Sequence, residues 1–194
     1  MEEKEMVQNL HGMFERAVPM LENMRQAFRT QNEGALTVAE RTFVEIFQSN
    51  LPLAEAIIDN KEKNDSEKKF ALLLIPLQKI ASAIINIIGK RKRIMDGGLC
   101  FTDKAVNEVE DLFVLLEEQF VDTRDFIVTR NHLLKSRIEI LCSQIAQVAD
   151  RDAMEHQNRL ITGLCSPRSS YYYLEIVDSF KNISRNLVDL SEKL

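Results

Sequence analysis

Two cations near the end of the chain are the residues whose type and spacing bear most directly on chemistry. Lys181 and Arg185 lie four residues apart in a segment typical of a long amphipathic helix, so their side chains share one helix face. Neither an ammonium nor a guanidinium has a lone pair to offer a metal ion, but both bind carboxylates and phosphates. The alternative is a solvated face on which Asp178 and Asp189 balance the two charges. We favour the solvated face, because exposed helical ion pairs are common and contribute only about 0.3–0.5 kcal/mol each.

Other residue patterns argue against catalysis. None of the three histidines stands three residues after a glutamate, as the Glu-x-x-His motif of metal-binding bundles requires, and we expect His156 to pack or cap near the turn at 163–169. The sequence contains no glycine-rich motif that cradles phosphate. Cys100, Cys142 and Cys165 are far apart and form no CxxC pair, which is typical of reduced thiols in the cytosol. We therefore expect a protein that is not an enzyme and uses no cofactor.

A metal site built from carboxylates is the main alternative. Carboxylate oxygens suit iron in oxygen-rich sites, manganese and magnesium. The acidic residues that such a site would use are scattered along the chain: Glu40, Glu55, Asp59, Glu139, Asp150 and Asp152. A carboxylate-bridged helical bundle is thus a second interpretation, and an unrelated helical adaptor is a third, because a fold alone does not fix a function.

The composition predicts an all-α protein. Of the 194 residues, 45% are hydrophobic and 28% are charged, so the chain is long enough to fold around its own core. Only 6 glycines and 4 prolines are present, too few for the many tight turns of a sandwich or barrel. The net charge of −5 gives no support to nucleic-acid binding. The acidic first segment lacks the basic and apolar regions of a signal peptide, which favours a cytoplasmic protein.

Hydrophobic periodicity predicts two copies of a three-helix unit. A shift of 99 residues places Val7 on Val106 and Phe14 on Phe113, and it pairs "RTQN" (29–32) with "VTRN" (128–131). A shift of 103 residues sets the segment around Gln78 on the segment around Lys181. We therefore predict one repeat over 1–95 and a second over 96–194, packed as one antiparallel helical bundle and joined at the only Gly-Gly pair.

Local signals predict where the helices begin and end. The apolar segment 70–88 resembles a membrane span in length, but Pro76 and Lys79 interrupt it, so we expect a buried helix of the bundle. The expected boundaries are a break at Pro52, a helix end at Gly89, an N-cap at Thr102 or Asp103, a C-cap at Gly163 and a last helix from about Ser169.

Two surface features raise the question of partners. The "GKRKR" segment contains Lys90, Arg91, Lys92 and Arg93, which either lie against anionic lipid or complement the dipole of a helix C-terminus. Three consecutive tyrosines follow the last loop. We expect Tyr173 to join the core and Tyr171 and Tyr172 to cover the start of the helix, where aromatic rings also suit a protein interface. The tyrosine-rich and apolar surface of the chain is also compatible with a homodimer.

The last 39 residues, 156–194, carry a family resemblance. The segment "HQNRLITGLCSPRSSYYYLEIVDSFKNISRNLVDLSEKL" resembles PhoU-like domains, in particular those at the cytoplasmic end of bacterial sodium/phosphate cotransporters. The residues that keep the family's frame are His156, Arg159, Leu160, Gly163, Cys165, Ser169, Leu174, Glu175, Ile183 and Glu192. The resemblance implies two three-helix repeats and a regulatory role in phosphate transport, exerted by contact with a transporter or a sensor kinase at the inner face of the membrane.

The family's metal motif is degenerate in this chain. The resemblance implies carboxylates four residues apart on the third helix of each repeat, where they bind metal clusters. The matching positions hold Gln78 and Ser82 in the first repeat and Lys181 and Arg185 in the second. The resemblance therefore implies the fold of the family without its metal.

Overall fold

The computed structural model of the protein describes residues 3–48 and 51–194, and all regular secondary structure in these residues is α-helical. The helices are α1 (Glu3–Thr30), α2 (Glu33–Gln48), α3 (Leu51–Asp59), α4 (Asp65–Asp96), α5 (Asp103–Thr129), α6 (His132–Ile161) and α7 (Pro167–Lys193). The prediction of an all-α helical bundle is confirmed.

Four long helices form the centre of the bundle. Helix α1 packs along α5, α4 packs along α7, and further contacts join α5 to α7 and α1 to α4. Helix α2 lies on one flank against α1 and α4, and α3 lies beside it against α4. Helix α6 lies on the other flank against α5 and α7. Aromatic rings fill the centre, where Phe113 meets Phe28 at 5.9 Å and Phe180 at 4.8 Å between ring centroids.

The α1–α2 and α5–α6 turns have the same construction. Gln31 and Arg130 adopt left-handed backbone conformations, with φ of 54° and 53°. In each turn the next residue is an asparagine that caps the following helix, because Asn32 Oδ1 accepts a hydrogen bond from the Ala35 amide and Asn131 Oδ1 accepts one from the Leu133 amide. These turns are the "RTQN" and "VTRN" segments of the sequence.

Helices α4 and α6 end in the same way. Gly98 (φ 63°) and Gly163 (φ 75°) each follow the helix in a left-handed conformation that favours glycine. The Leu99 amide donates to the Ile94 carbonyl at 2.9 Å, and the Leu164 amide donates to the Arg159 carbonyl at 2.8 Å. The Gly-Gly pair therefore forms the turn that ends α4, and the predicted helix end at Gly163 is confirmed, as is the cap at Thr102, whose hydroxyl accepts from the Ala105 amide.

Three expected boundaries differ from the structure. Helix α4 continues through Gly89 to Asp96, because burial of Ile87, Ile88 and Ile94 outweighs the roughly 1 kcal/mol that glycine costs inside a helix. Helix α7 begins at Pro167, whose missing N–H costs nothing in the first turn. Pro52 is not a helix boundary, because position 52 lies within α3 (Leu51–Asp59); α2 ends at Gln48, and residues 49–50 lie outside the described part.

Among the described residues, α4 alone is long and apolar enough to cross a membrane by length and composition. Its most apolar window has a mean hydropathy of 1.9, and 44% of that window is buried inside the bundle. Core helices of soluble proteins pass the same test. The inner face of α4 packs on α7.

Candidate functional site

A buried polar cluster joins three helices at the α6–α7 end of the bundle. Its members are Glu108 on α5, His156 and Arg159 on α6, and Tyr173 on α7. Arg159 forms two parallel hydrogen bonds to the Glu108 carboxylate, at 2.9 and 2.7 Å, and the Tyr173 hydroxyl donates to Glu108 Oε2 at 2.6 Å. Glu108, His156 and Tyr173 are each no more than 3% exposed. One carboxylate therefore ties α5 to both α6 and α7.

The cluster fixes the tautomer of His156. The imidazole stacks on the Tyr173 ring at 4.1 Å between centroids, and Arg159 Nη2 lies 3.2 Å from His156 Nδ1. Because a guanidinium can only donate, Nδ1 must accept and the proton of the neutral ring sits on Nε2. Burial, and then the Arg159 charge, lower the pKa of His156 below its ordinary value, while the Glu108 carboxylate opposes this change.

A second carboxylate lies one helical turn before His156. Asp152 is fully buried on α6, and its Oδ1 accepts a hydrogen bond from Arg151 Nε at 2.9 Å. Among the described residues, neither Asp152 Oδ2 nor His156 Nε2 has a hydrogen-bond partner. Burial raises the pKa of Asp152, since desolvation disfavours the ionised carboxyl and the attraction of Arg151 only partly offsets it.

The role that this geometry supports is structural, because the hydrogen bonds of the cluster hold three helices together. Burial and the hydrogen bond to Glu108 raise the pKa of Tyr173, so the phenol stays protonated and continues to donate. Glu108 is satisfied by Arg159 and Tyr173, and Lys104 lies 3.5 Å from it on the solvent side. Glu108, Arg159 and Tyr173 therefore hold the end of α6 and the first turns of α7 against α5. They also set the position of the residues exposed at the start of α7.

Those exposed residues form an aromatic and charged surface. Tyr171 is 56% exposed and contacts Tyr172 in an edge-to-face arrangement at 5.4 Å. Lys90 reaches over from α4, with its Nζ 5.0 Å from the centre of the Tyr171 ring and 3.2 Å from a Glu175 carboxylate oxygen. The Tyr173 ring is buried, as the sequence predicted. The aromatic pair thus shares a cation that links α7 to α4.

The predicted cation pair on α7 divides into two different environments. Lys181 forms ion pairs at 3.0 Å with Asp178 and with Asp150 of α6, and these hydrogen bonds raise its pKa. Arg185 is exposed and forms no ion pair among the described residues. Asp189, expected to balance the pair, instead contacts Lys193. Asp178 balances Lys181, as the sequence predicted, but the Lys181 side chain is only 18% exposed and so does not lie on a solvated face. Arg185 is the cation of this pair that is open to a partner.

The four cations of the basic segment do not share one surface. Because α4 continues past Gly89, they point in different directions around the helix. Arg91 is fully buried between the rings of Phe28 and Phe101 and donates to the Phe28 carbonyl at 2.9 Å, so it cannot belong to a membrane-surface patch. The remaining cations have the following environments: Lys90 pairs with Glu175, Lys92 pairs with Glu40 at 2.6 Å, and Arg93 is exposed.

The carboxylates proposed for a metal bundle do not gather. Glu40 is paired with Lys92, Asp150 with Lys181 and Asp152 with Arg151. Within residues 3–48 and 51–194, no group of three or more histidine, cysteine, aspartate or glutamate side chains could hold a metal ion. Gln78 and Ser82, the other degenerate positions, lie exposed on α4. The geometry of the described residues therefore offers nothing to the carboxylate-bridged alternative.

Sequence reasoning found part of the buried cluster. His156 and Arg159 were named through the resemblance, and Asp152 only as a candidate metal ligand. Glu108 was not named. The signal that could have found both acids is their position within an apolar stripe: Glu108 stands three residues after buried Ala105, and Asp152 stands three residues after buried Ala149. An acid in a core stripe needs a partner.

Comparisons with models of protein families, with curated proteins and with solved structures found no match to the chain. The PhoU-like resemblance therefore remains a prediction that rests on the residues themselves.

Proposed function

We propose that the chain is a PhoU-like regulatory module that acts without catalysis, by binding a phosphate transporter or a sensor kinase at the cytoplasmic face of a membrane. The outer face of α7 is the surface assigned to that contact. Two features of the molecule support this proposal: the matched turns of its two halves and the exposed side chains on α7.

Matched local geometry supports a tandem repeat over 1–95 and 96–194. At a shift of 99 residues, Thr30 and Thr129 each bond the carbonyl four residues earlier at 2.8 Å, and each precedes a left-handed residue. An asparagine cap follows in both turns. In the proposed duplication α1 corresponds to α5 and α4 corresponds to α7, and the two members of each pair pack along each other. The threonine hydrogen bond, the left-handed residue and the asparagine cap all recur at the same shift of 99 residues. Duplication of an ancestral segment would produce this pattern.

The observation that carries the function is a row of exposed side chains on α7. Tyr171, Asp178, Asn182 and Arg185 are all exposed, and steps of three, four and seven residues place them on one face. At 1.5 Å per residue the row is about 21 Å long, which fits one side of a standard protein interface. Tyrosine and arginine at its ends are the residue types most enriched among interface hot spots.

The buried cluster anchors the start of α7, the helix that carries this face. Glu108 fixes Arg159 and Tyr173, and Tyr173 is the neighbour of Tyr172. A surface that is already ordered loses less entropy on binding, so the cluster favours affinity without touching the partner.

Affinity capture from membranes of the source organism tests the proposal. The tagged chain is expected to retain a phosphate transporter or a sensor kinase, identified by mass spectrometry. Substitution Arg185→Glu, alone and with Tyr171→Ala, is expected to reduce that recovery roughly tenfold or more, as hot-spot losses do. The matched control is Arg41→Glu, which reverses a cation that is 72% exposed on the distant helix α2.

Two outcomes would contradict the proposal. Retention of partners unrelated to phosphate uptake would favour the unrelated-adaptor interpretation. Equal recovery with Arg185→Glu and Arg41→Glu would remove the outer face of α7 from the interface.

A further inference from the structure

A groove lies between α1 and α2 on the flank of the bundle opposite α6. It has a volume of about 480 Å³. Met20, Ala27 and Ala39 line it as buried residues, and Pro19 and Val38 line it as exposed ones. Small-molecule sites in proteins commonly have volumes of about 300–1,000 Å³ and mostly apolar walls. The groove therefore has the size and the lining of such a site.

The α5–α6 pair provides an internal comparison, because the proposed duplication makes it the equivalent of α1–α2. At a shift of 99 residues, the buried residues of α1 all coincide with buried residues of α5. The positions that line the groove hold larger side chains in the second pair: Ala27 corresponds to Phe126, Ala35 to Leu134, Ala39 to Ile138 and Thr42 to Leu141. The groove is therefore a space that the first half leaves open and the second half fills.

The rims of the two sites differ in the same direction. Asp122 of α5 is 5% exposed and forms an ion pair with Arg137 of α6 at 3.2 Å, which bridges the two helices. The matching positions in the first half hold Asn23 and Val38, and both are exposed. Asparagine and valine cannot form that ion pair, so the α1–α2 groove stays accessible from solvent.

The charge of the groove is positive. Among the described residues that line it, Arg16 of α1 is the only charged one. Arg16 is exposed and forms no ion pair within the described part of the chain. Asn23 and Gln26 add side-chain amides farther along the same side of α1. An unpaired guanidinium favours a carboxylate, a sulfonate or a phosphate, and the amides can bond further polar groups.

We propose that the α1–α2 groove binds a small organic anion with an apolar body. Its acidic group pairs with Arg16, and its body lies on Met20 and Ala39. One cation suits a ligand with one acidic group, whereas an acidic peptide or an anionic membrane calls for several cations on one surface. The inference rests on the duplication within the proposed function, but the site uses α1 and α2 and is separate from the partner surface on α7.

Fluorescence titration of the full chain with two dyes tests the proposal. Anilinonaphthalenesulfonate carries a sulfonate on an apolar ring system, and phenylnaphthylamine is the same ring system without the charge. The wild-type protein is expected to bind both. Arg16→Gln is expected to weaken binding of the sulfonate about fivefold, the upper end for an exposed ion pair, and to leave the neutral dye unaffected. The matched control is Arg41→Gln, which removes a cation of α2 that is 72% exposed and lies outside the groove.

Variants that fill the groove locate the binding site. Ala35→Leu introduces the residue that α6 has at the matching position, and Asn23→Asp/Val38→Arg introduces the ion pair that bridges α5 and α6. Each is expected to abolish binding of both dyes without loss of helicity, because positions 23 and 38 are exposed and position 35 is half-buried. Ala153→Leu, at a half-buried position of α6, is the control and is expected to leave both dyes bound.

Three outcomes would overturn the proposal. A wild-type protein that binds neither dye, or undiminished binding of both dyes to the filled variants, would remove the groove as the site. An equal response of the two dyes to Arg16→Gln would remove its preference for an anion. The titrations use purified protein, so none of these results depends on whether a transporter or a sensor kinase is captured through α7.

Discussion

At the scale of single residues, the buried cluster places charged side chains at positions where α5 and α6 otherwise carry buried apolar residues. Glu108 accepts from Arg159 and Tyr173, which is the condition under which a buried carboxylate is tolerated. Asp152 and His156 are less well satisfied, because each keeps a buried polar atom that has no partner among the described residues. These two residues therefore make the protein's stability sensitive to pH.

His156 is expected to reduce stability as the pH falls. Burial lowers its pKa in the folded protein, so folding favours the neutral ring, and its contribution is complete above the ordinary value of 6.5. As the pH drops below 6.5 the unfolded chain takes up the proton first, and the free energy of unfolding falls by up to about 1.4 kcal/mol per pH unit. Urea unfolding at a series of pH values, compared between the wild-type protein and His156→Phe, measures this slope. The phenyl ring keeps the stack on Tyr173 and removes the titration.

The difference between the two proteins isolates His156 from other groups. Burial raises the pKa values of Asp152, Asp122 and Glu117, which has the opposite effect of adding stability as the pH falls. These groups are present in both proteins, so they cancel. His132→Gln is the control, since His132 is exposed at the start of α6. Parallel pH profiles for the wild-type protein and His156→Phe would show that His156 does not cause the slope.

At the scale of elements, local chemistry predicted the second half of the chain better than the first. Thr102 and Gly163 are strong signals that act within a few residues, so the start of α5, the end of α6 and the start of α7 lie close to their predicted positions. Gly89 was misjudged because a single glycine is a weak signal and packing on α7 extends α4 past it. The cluster around Glu108 could not be predicted in full, because its partners come from three helices and no local spacing encodes their meeting.

Because Gln31 in the α1–α2 turn is left-handed, a glycine substitution there is expected to raise the free energy of unfolding, whereas the same substitution inside α1 is expected to lower it. Gln31 has φ of 54° and an exposed side chain, so Gln31→Gly relieves conformational strain at little loss of contact. Glycine also raises the entropy of the unfolded chain, which offsets part of the relieved strain. The expected net gain in the free energy of unfolding is about 0.5–1 kcal/mol. Gln26→Gly, at an exposed helical position one turn earlier, is expected to cost about 1 kcal/mol. Chemical denaturation of the two variants measures both, and a loss at position 31 would refute the strain argument.

At the scale of the whole molecule, the two halves share a single core. Phe113 of α5 contacts Phe28 of α1 and Phe180 of α7, and Phe14 of α1 meets Phe120 of α5 at 5.3 Å. The ion pairs of Arg25 and Arg29 with Glu110 also cross between α1 and α5. Because the principal helix pairs join one half to the other, we expect neither half to unfold alone.

Phe113→Ala tests this cooperativity. Removing a fully buried ring that links three helices is expected to cost about 3–5 kcal/mol. If the bundle unfolds as one unit, hydrogen exchange followed by mass spectrometry will show the most protected amides of α1 and α4 losing the same free energy of opening as those of α5 and α7. Val114→Ala, at the neighbouring position with 40% exposure, controls for a change in α5 alone and is expected to leave both halves protected. A loss of protection confined to α5, α6 and α7 would mean that the second half opens independently. Removal of a ring from α5 can lower the protection of α1 and α4 only if the two halves share one core.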